Sequence, residues 1–222
     1  MTGRIGRPQA VLFDLDGTLV DSAPDLCDAM NRLMDRLGRP RVAEPRLRQV
    51  VSKGGRAMLA VAAPDLAEPA REALLPEFLE EYSHALAVRS VLFDGVAELL
   101  AAIEGRGLPW GIVTNKPGWL AEGVVTGFGW AERCAVLVAG DTLPTRKPDP
   151  ATLRLACERL AIEPARAVYV GDDLRDVQAA RAAGMPVVAA LWGYREDGED
   201  PRDWGADLDC ESARDLIPRL PA

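Results

Sequence analysis

Histidine is nearly absent from this 222-residue chain: His84 is the only one. A hydrolytic triad would have to rest on it, and no G-x-S-x-G supplies the nucleophile. His84 stands among apolar and charged residues and reads as structural. Cysteine is scarce as well. Cys27, Cys134, Cys157 and Cys210 form no C-x-x-C pair, and their spacing suggests neither a zinc site nor a disulfide framework. They read as free thiols of a reducing compartment. The apolar run before Asp14 is too short for a signal peptide, and no later run is long enough to span a bilayer. The expected setting is therefore the cytoplasm, with no membrane partner. Positive charge is also in deficit, with a formal net charge of −8. That balance does not suit a general nucleic-acid binder, so no nucleic-acid partner is expected. An anionic substrate would need local cations or a metal to overcome the overall field. No internal repeat and no low-complexity tract interrupts the chain.

What is present is a core-forming composition, 48% hydrophobic. Ala10–Phe13 is a continuous apolar run ending in Asp14, the pattern of a buried parallel strand. Similar runs recur at Trp110–Val113, Cys134–Ala139, Ala167–Val170 and Pro186–Leu191. Helical stripes lie between them. Val96, Leu99, Leu100 and Ile103 share one face; Leu153, Leu155, Ala156 and Leu160 another; Leu174, Val177, Ala180 and Ala183 a third. The alternation predicts an α/β fold, a Rossmann-like doubly wound parallel sheet.

The segment from about Asp21 to about Val91 breaks that alternation with helices only. Leu26, Met30, Leu33 and Leu37 fit one helix, ended by Gly38 and Pro40. Leu47, Val50 and Val51 begin a second, interrupted by Gly54-Gly55, and Leu74, Leu75, Phe78, Leu79 and Tyr82 mark a later one. Residues 21–91 are thus expected to form an inserted all-helical cap, with 1–20 and 92–222 making the α/β core. The tail after Gly193 is charged until a last short helix near Ala213–Ile217.

Open α/β sheets bind ligands beyond the carboxyl ends of their strands. The first apolar run is followed by Asp14-Leu-Asp16-Gly17-Thr18 and the second by Thr114-Asn115-Lys116. A loop after the third carries Arg146-Lys147-Pro148-Asp149-Pro150, and the fourth is followed by Gly171-Asp172-Asp173-Leu-Arg-Asp176. A D-x-D alone would be a weak signal, but four elements in this order resemble the four motifs of the haloacid dehalogenase superfamily. The resemblance spans nearly the whole chain, because the helical insertion is similar to that superfamily's first type of cap.

The chemistry of such a rim can be read from its residue types. A phosphate monoester repels an attacking carboxylate, and a divalent cation between them removes that obstacle. Asp14, Asp172 and the backbone carbonyl of Asp16 offer hard oxygen ligands suited to Mg2+. Asp14 is the expected nucleophile and Asp16 the expected general acid and base. Thr114, Asn115 and Lys147 are the expected phosphate holders. Asp149-Pro150 reads as a helix start. Asp173 has two readings, a helix cap or a metal neighbour; many members of the superfamily carry Ser or Thr there. Asp176 is expected one layer out, acting through water or by orienting Lys147. In the insertion, Lys53, Gly54, Gly55 and Arg56 form a candidate cradle for a substrate anion.

The opening DLDGTLVDSAPDL resembles phosphoglycolate phosphatases. SKGGRAM at Ser52–Met58, GDDLRD, AALWGY and DWGAD look closer to the N-acetylmuramic acid 6-phosphate phosphatases of peptidoglycan recycling. The resemblance implies a bacterial enzyme acting on a small phosphorylated metabolite. Either ester carries a carboxylate that Lys53 and Arg56 could meet. A sugar-phosphate mutase and a non-catalytic binding protein share the fold and stay open here. A dehalogenase is disfavoured by Asp16, and a transport ATPase by Leu15 and the missing spans.

Overall fold

The computed structural model describes residues 6–220. In chain order the elements are β1 (Ala10–Phe13), β2 (Val20–Asp21), α1 (Ala23–Arg36), α2 (Glu44–Arg48), α3 (Gly55–Ala62), α4 (Glu68–Ser83), β3 (Val91–Leu92) and α5 (Val96–Gly105). There follow β4 (Trp110–Val113), α6 (Gly118–Gly127), β5 (Val136–Val138), α7 (Ala151–Arg159), β6 (Ala167–Gly171), α8 (Leu174–Ala183), β7 (Val187–Ala190) and β8 (Leu208–Cys210). A 3-10 helix spans Ala213–Arg219.

Six strands form one parallel sheet in the order β5-β4-β1-β6-β7-β8. β1 lies in the middle, and all four of its residues are fully buried. That is why its sequence is continuously apolar rather than alternating. One face packs Val11, Phe13 and Ile112 against α5 and α6, and the other packs Leu12 and Tyr169 against α7 and α8. The strands therefore run parallel with their carboxyl ends on one rim. The α5 stripe predicted from its periodicity, Val96, Leu99, Leu100 and Ile103, is buried throughout.

The helices α1 to α4 gather around their own apolar cluster, with Met30, Leu33, Leu47, Phe78 and Tyr82 inside it. Leu120 and Tyr194 join that cluster from the sheet side. Gly38 ends the first helix with a positive φ of 63°, a backbone state that favours glycine. Leu37, expected on the buried stripe, is instead at the helix end and 40% exposed.

Two features depart from the sequence reading. Asp21 and Val91, placed at the ends of a segment with no strand, pair in a two-residue antiparallel ladder between β2 and β3. The charged tail hides β8, which pairs with β7 at the sheet edge. Ladders of two or three residues carry too little hydrophobic alternation to stand out, and an edge strand such as Leu-Asp-Cys tolerates charge.

Candidate active site

Asp14 leaves β1 at the centre of the rim, and the chain then turns sharply through Gly17. Its φ is 92°, and a Cβ there would lie 2.0 Å from Oδ2 of Asp172. Only glycine lets the first loop sit against the fourth. Thr18 hands its hydroxyl hydrogen to Oδ1 of Asp172 at 2.7 Å, which ties the two loops together.

Carboxylate oxygens of Asp14, Asp172 and Asp176 all lie within 4.8 Å of one another. Against these three carboxyl groups stands one buried ammonium. Lys147 Nζ lies 2.7 Å from Asp176 Oδ1, 2.7 Å from the Tyr169 hydroxyl and 3.0 Å from Asp14 Oδ1. The Asp14 contact is an ion pair by distance without hydrogen-bond alignment, and that oxygen is buried with no hydrogen-bond partner. Burial alone would lower the Lys147 pKa, but Asp14 and Asp176 more than offset it and hold the ammonium above its ordinary value. Asp172 is pushed well above the usual carboxylate range, first by burial and then by Asp14 and Asp176. An excess of buried carboxylate around an unpartnered oxygen fits a hard divalent cation. The Asp16 side chain is not in this cluster.

Asp16 instead turns to a second buried lysine. Lys116 Nζ lies 3.0 Å from both Asp16 oxygens, and the Ser22 hydroxyl donates to Oδ1 at 2.5 Å. Lys116 stood in the sequence as part of Thr114-Asn115-Lys116 without a role. Its position two residues past Thr114, at a strand end, was the available signal. Thr114 is buried and lines the same pocket as Asp14, and its hydroxyl accepts the Lys116 N–H at 3.2 Å.

The hydrogen-bond partners of the other expected site residues give each a local role. Asn115, expected on the phosphate, spends its amide on Lys147. Its Nδ2 donates to the Lys147 carbonyl at 2.9 Å and its Oδ1 accepts the Lys147 N–H at 3.0 Å. It anchors the loop that carries the ammonium. Asp173 caps α8, accepting the Arg175 N–H at 2.9 Å, while Asp176 accepts the Asp173 N–H at 3.1 Å. Burial opposes the Asp173 charge, but the Arg175 guanidinium holds its carboxyl below the usual range. Asp149 accepts the Ala151 N–H at 2.9 Å at the start of α7.

The Ser52–Arg56 segment of the helical insertion closes over this rim. Ser52 donates to Asp172 at 2.6 Å, and Arg175 donates to the Ser52 carbonyl. Neither contact was foreseen from the sequence. Lys53, expected to meet a substrate anion, lies 3.4 Å from Asp173 and 3.5 Å from Glu199. Arg56, expected to do the same, lies 2.6 Å from Glu72. Gly54 adopts a φ of 87° before α3, and Gly55 packs so close to α4 that a Cβ would meet Leu75 at 2.8 Å. Helix docking shapes this turn, and all four residues Lys53–Arg56 line the pocket described next.

Between rim and insertion lies a pocket of ≈ 370 Å³ that takes in Asp14, Asp16, Thr114 and Lys147 on one side. Phe78, Leu79 and Met58 form an apolar wall on the other. Its cations are Lys53, Arg56, Lys116, Arg146, Lys147 and Arg175. Among the described residues, Arg146 is the one of these without a carboxylate partner.

Residues 11–190 match the model of the haloacid dehalogenase-like hydrolases. This chain belongs to that family. It is 54% identical to the phosphoglycolate phosphatase of Xanthomonas campestris pv. campestris (strain 8004), over 94% of this chain and 95% of that one. It is 47% identical to the N-acetylmuramic acid 6-phosphate phosphatase of Pseudomonas aeruginosa PAO1, over 95% of this chain and 94% of that one. Among solved structures, a protein of Haemophilus somnus 129PT described as a predicted phosphoglycolate phosphatase superposes with a TM-score of 0.86 at 27% identity. That likeness covers 96% of this chain and 98% of the other. The doubly wound core with a helical insertion is thus the fold of this hydrolase family. No helix among the described residues is long and apolar enough to cross a membrane.

Proposed function

We propose that this enzyme hydrolyses a small anionic phosphate monoester through a phosphoryl group carried on Asp14, and that the ester is N-acetylmuramic acid 6-phosphate. The reaction class, phosphoric monoester hydrolysis, follows from the family and from relatives named as phosphatases. The substrate rests on the pocket. At ≈ 370 Å³, with an apolar wall facing the carboxylate rim, it would be left mostly empty by a two-carbon acid. An amino sugar with an acetamido group and a lactyl carboxylate uses both the volume and the wall.

Asp14 would attack phosphorus in line from the end of β1, where it lines the pocket. Lys147, pinned by Asp176, Tyr169 and the Asn115 amide, would hold an equatorial phosphoryl oxygen together with Thr114. Asp16 would give a proton to the departing sugar oxygen and then take one from water. Asp14, Asp172 and the Asp16 carbonyl would hold magnesium, with Asp176 close by. Bound magnesium supplies the positive charge that offsets repulsion between carboxylate and phosphate. Arg146, free of protein carboxylates, is the favoured partner for the carboxylate of the leaving group. A cytosolic setting belongs to this reading and accords with four unpaired cysteines.

Phosphoglycolate is the second reading, supported by the 54% identity to enzymes of that name. Phosphate release is to be measured side by side on both esters and a few sugar phosphates, with and without magnesium. The expected result is a higher kcat/KM on N-acetylmuramic acid 6-phosphate. A higher value on phosphoglycolate transfers the assignment to the second reading. Phosphoryl transfer to sugar without phosphate release would make the enzyme a mutase.

A further inference from the structure

Two lysines are buried at this site, and the chemistry above uses one. Lys116, at the end of β4, is 8% exposed. Its ammonium lies 3.0 Å from each Asp16 oxygen and 3.0 Å from the Tyr82 hydroxyl, and it sits 4.4 Å from the centroid of the Tyr82 ring. These contacts occupy all the donors a lysine has. Burial by itself lowers the pKa of such an ammonium, but Asp16 and Tyr82 more than offset this and keep it above its ordinary value. Tyr82 belongs to α4 of the helical insertion and is fully buried. A cation rooted in the sheet thus joins a helix of the cap to the carboxylate assigned as acid and base.

The two oxygens of Asp16 are not equivalent. Oδ1 accepts from both Ser22 and Lys116, while among the described residues Oδ2 accepts from Lys116 alone. Oδ2 therefore keeps the acceptor capacity that a proton in transit needs. The terminal torsion of an aspartate is soft, so an untethered carboxylate would exchange its oxygens freely. We propose that Lys116, held by Tyr82 of the cap, is a positioning residue that fixes the Asp16 carboxylate with Oδ2 as its working oxygen, so that acid–base geometry depends on α4. The inference rests on the assignment of Asp16 as acid and base.

Leaving-group dependence separates this from a plain structural ion pair. An alkoxide needs a proton to depart, whereas p-nitrophenolate leaves unaided. The ratio kcat/KM reports the steps through leaving-group departure. It is to be measured on the better of the two alkyl esters named above and on p-nitrophenyl phosphate, for the parent, Lys116→Met, Tyr82→Phe and Asp16→Asn. Lys116→Met is expected to lower the alkyl value about 100-fold and the aryl value less than about fivefold, within the range of general acid catalysis. Tyr82→Phe keeps the ring and is expected to act in the same direction by about fivefold. Equal losses on both esters, or none, overturn the proposal. Should Lys116→Met not fold, Tyr82→Phe decides by the same criterion. If Asp16→Asn shows the selective loss and the other two variants do not, Lys116 positioning fails alone. If Asp16→Asn spares the alkyl ester, the acid–base assignment fails first.

Discussion

On the pocket floor, Lys147 and Asp176 lie 2.7 Å apart with side chains 2% exposed each; at its roof, Arg56 and Glu72 lie 2.6 Å apart with side chains 54% and 41% exposed. The distances match, but the physics does not. Water competes for the roof pair, and such a contact is worth at most about 1 kcal/mol. The floor pair has no water to fall back on, so removing one partner strands a buried charge at a cost of roughly 3–5 kcal/mol. The comparison teaches how this pocket divides its work. The floor holds its charges buried and sets the chemistry, while the exposed roof pair can part at little cost.

The largest effect that sharpens this contrast is expected on the floor. Lys147→Met leaves Asp14 and Asp176 without their shared cation. Phosphate release should fall by about 10³-fold or more, and chemical unfolding should show a loss of roughly 3–5 kcal/mol. A Lys147→Met protein as stable as the parent would erase the distinction between floor and roof.

Next comes the response to metal and pH. Magnesium at about 100 times its Kd should raise parent stability by about 2.7 kcal/mol, seen as a higher melting temperature, and Asp172→Asn should lose most of that gain. The sign of the pH effect follows from the raised Asp172 carboxyl. Its contribution is fully present below the unfolded value near pH 4, where both states are protonated, and is lost as pH rises through the folded value. Metal-free, the stability difference between Asp172→Asn and the parent should therefore move in favour of the variant as pH rises. A constant difference would mean that Asp172 ionises without penalty.

Where the cations are exposed the effects shrink. Arg146→Ala should raise KM for a carboxylate-bearing ester about tenfold with kcat little changed, the loss of one exposed charge-assisted contact. Arg56→Ala should change KM by no more than about threefold and stability by about 0.5 kcal/mol or less. If Arg56→Ala were the more damaging of the two, the Glu72 pair would be the anion reader and not a resting partner.

The same contrast explains what was legible in the sequence. The central strands announced themselves as unbroken apolar runs; Asp14 and Asp172 followed from strand ends, and Lys147 from the Pro-flanked loop after the third run. β8 did not, because an edge strand of three residues with a charged centre looks like tail. The roof was harder. Lys53 and Arg56 looked free in one dimension, but their carboxylate partners come from α8, α4 and the loop at Glu199. Lys116 was visible as a residue type at a strand end, yet its link to Asp16 joins two loops 100 residues apart and its link to Tyr82 needs α4 in place. Local pattern predicts what the sheet presents; it does not predict which charges the insertion has already consumed.

Asp14 is the residue on which the chemistry turns, and a covalent trap tests it directly. Parent enzyme mixed with substrate and magnesium, quenched in acid and digested, should yield the peptide bearing Asp14 heavier by one phosphoryl group. Asp14→Asn should yield neither that peptide nor phosphate. A phosphoryl group found on another residue, or phosphate released by Asp14→Asn at the parental rate, would contradict the account.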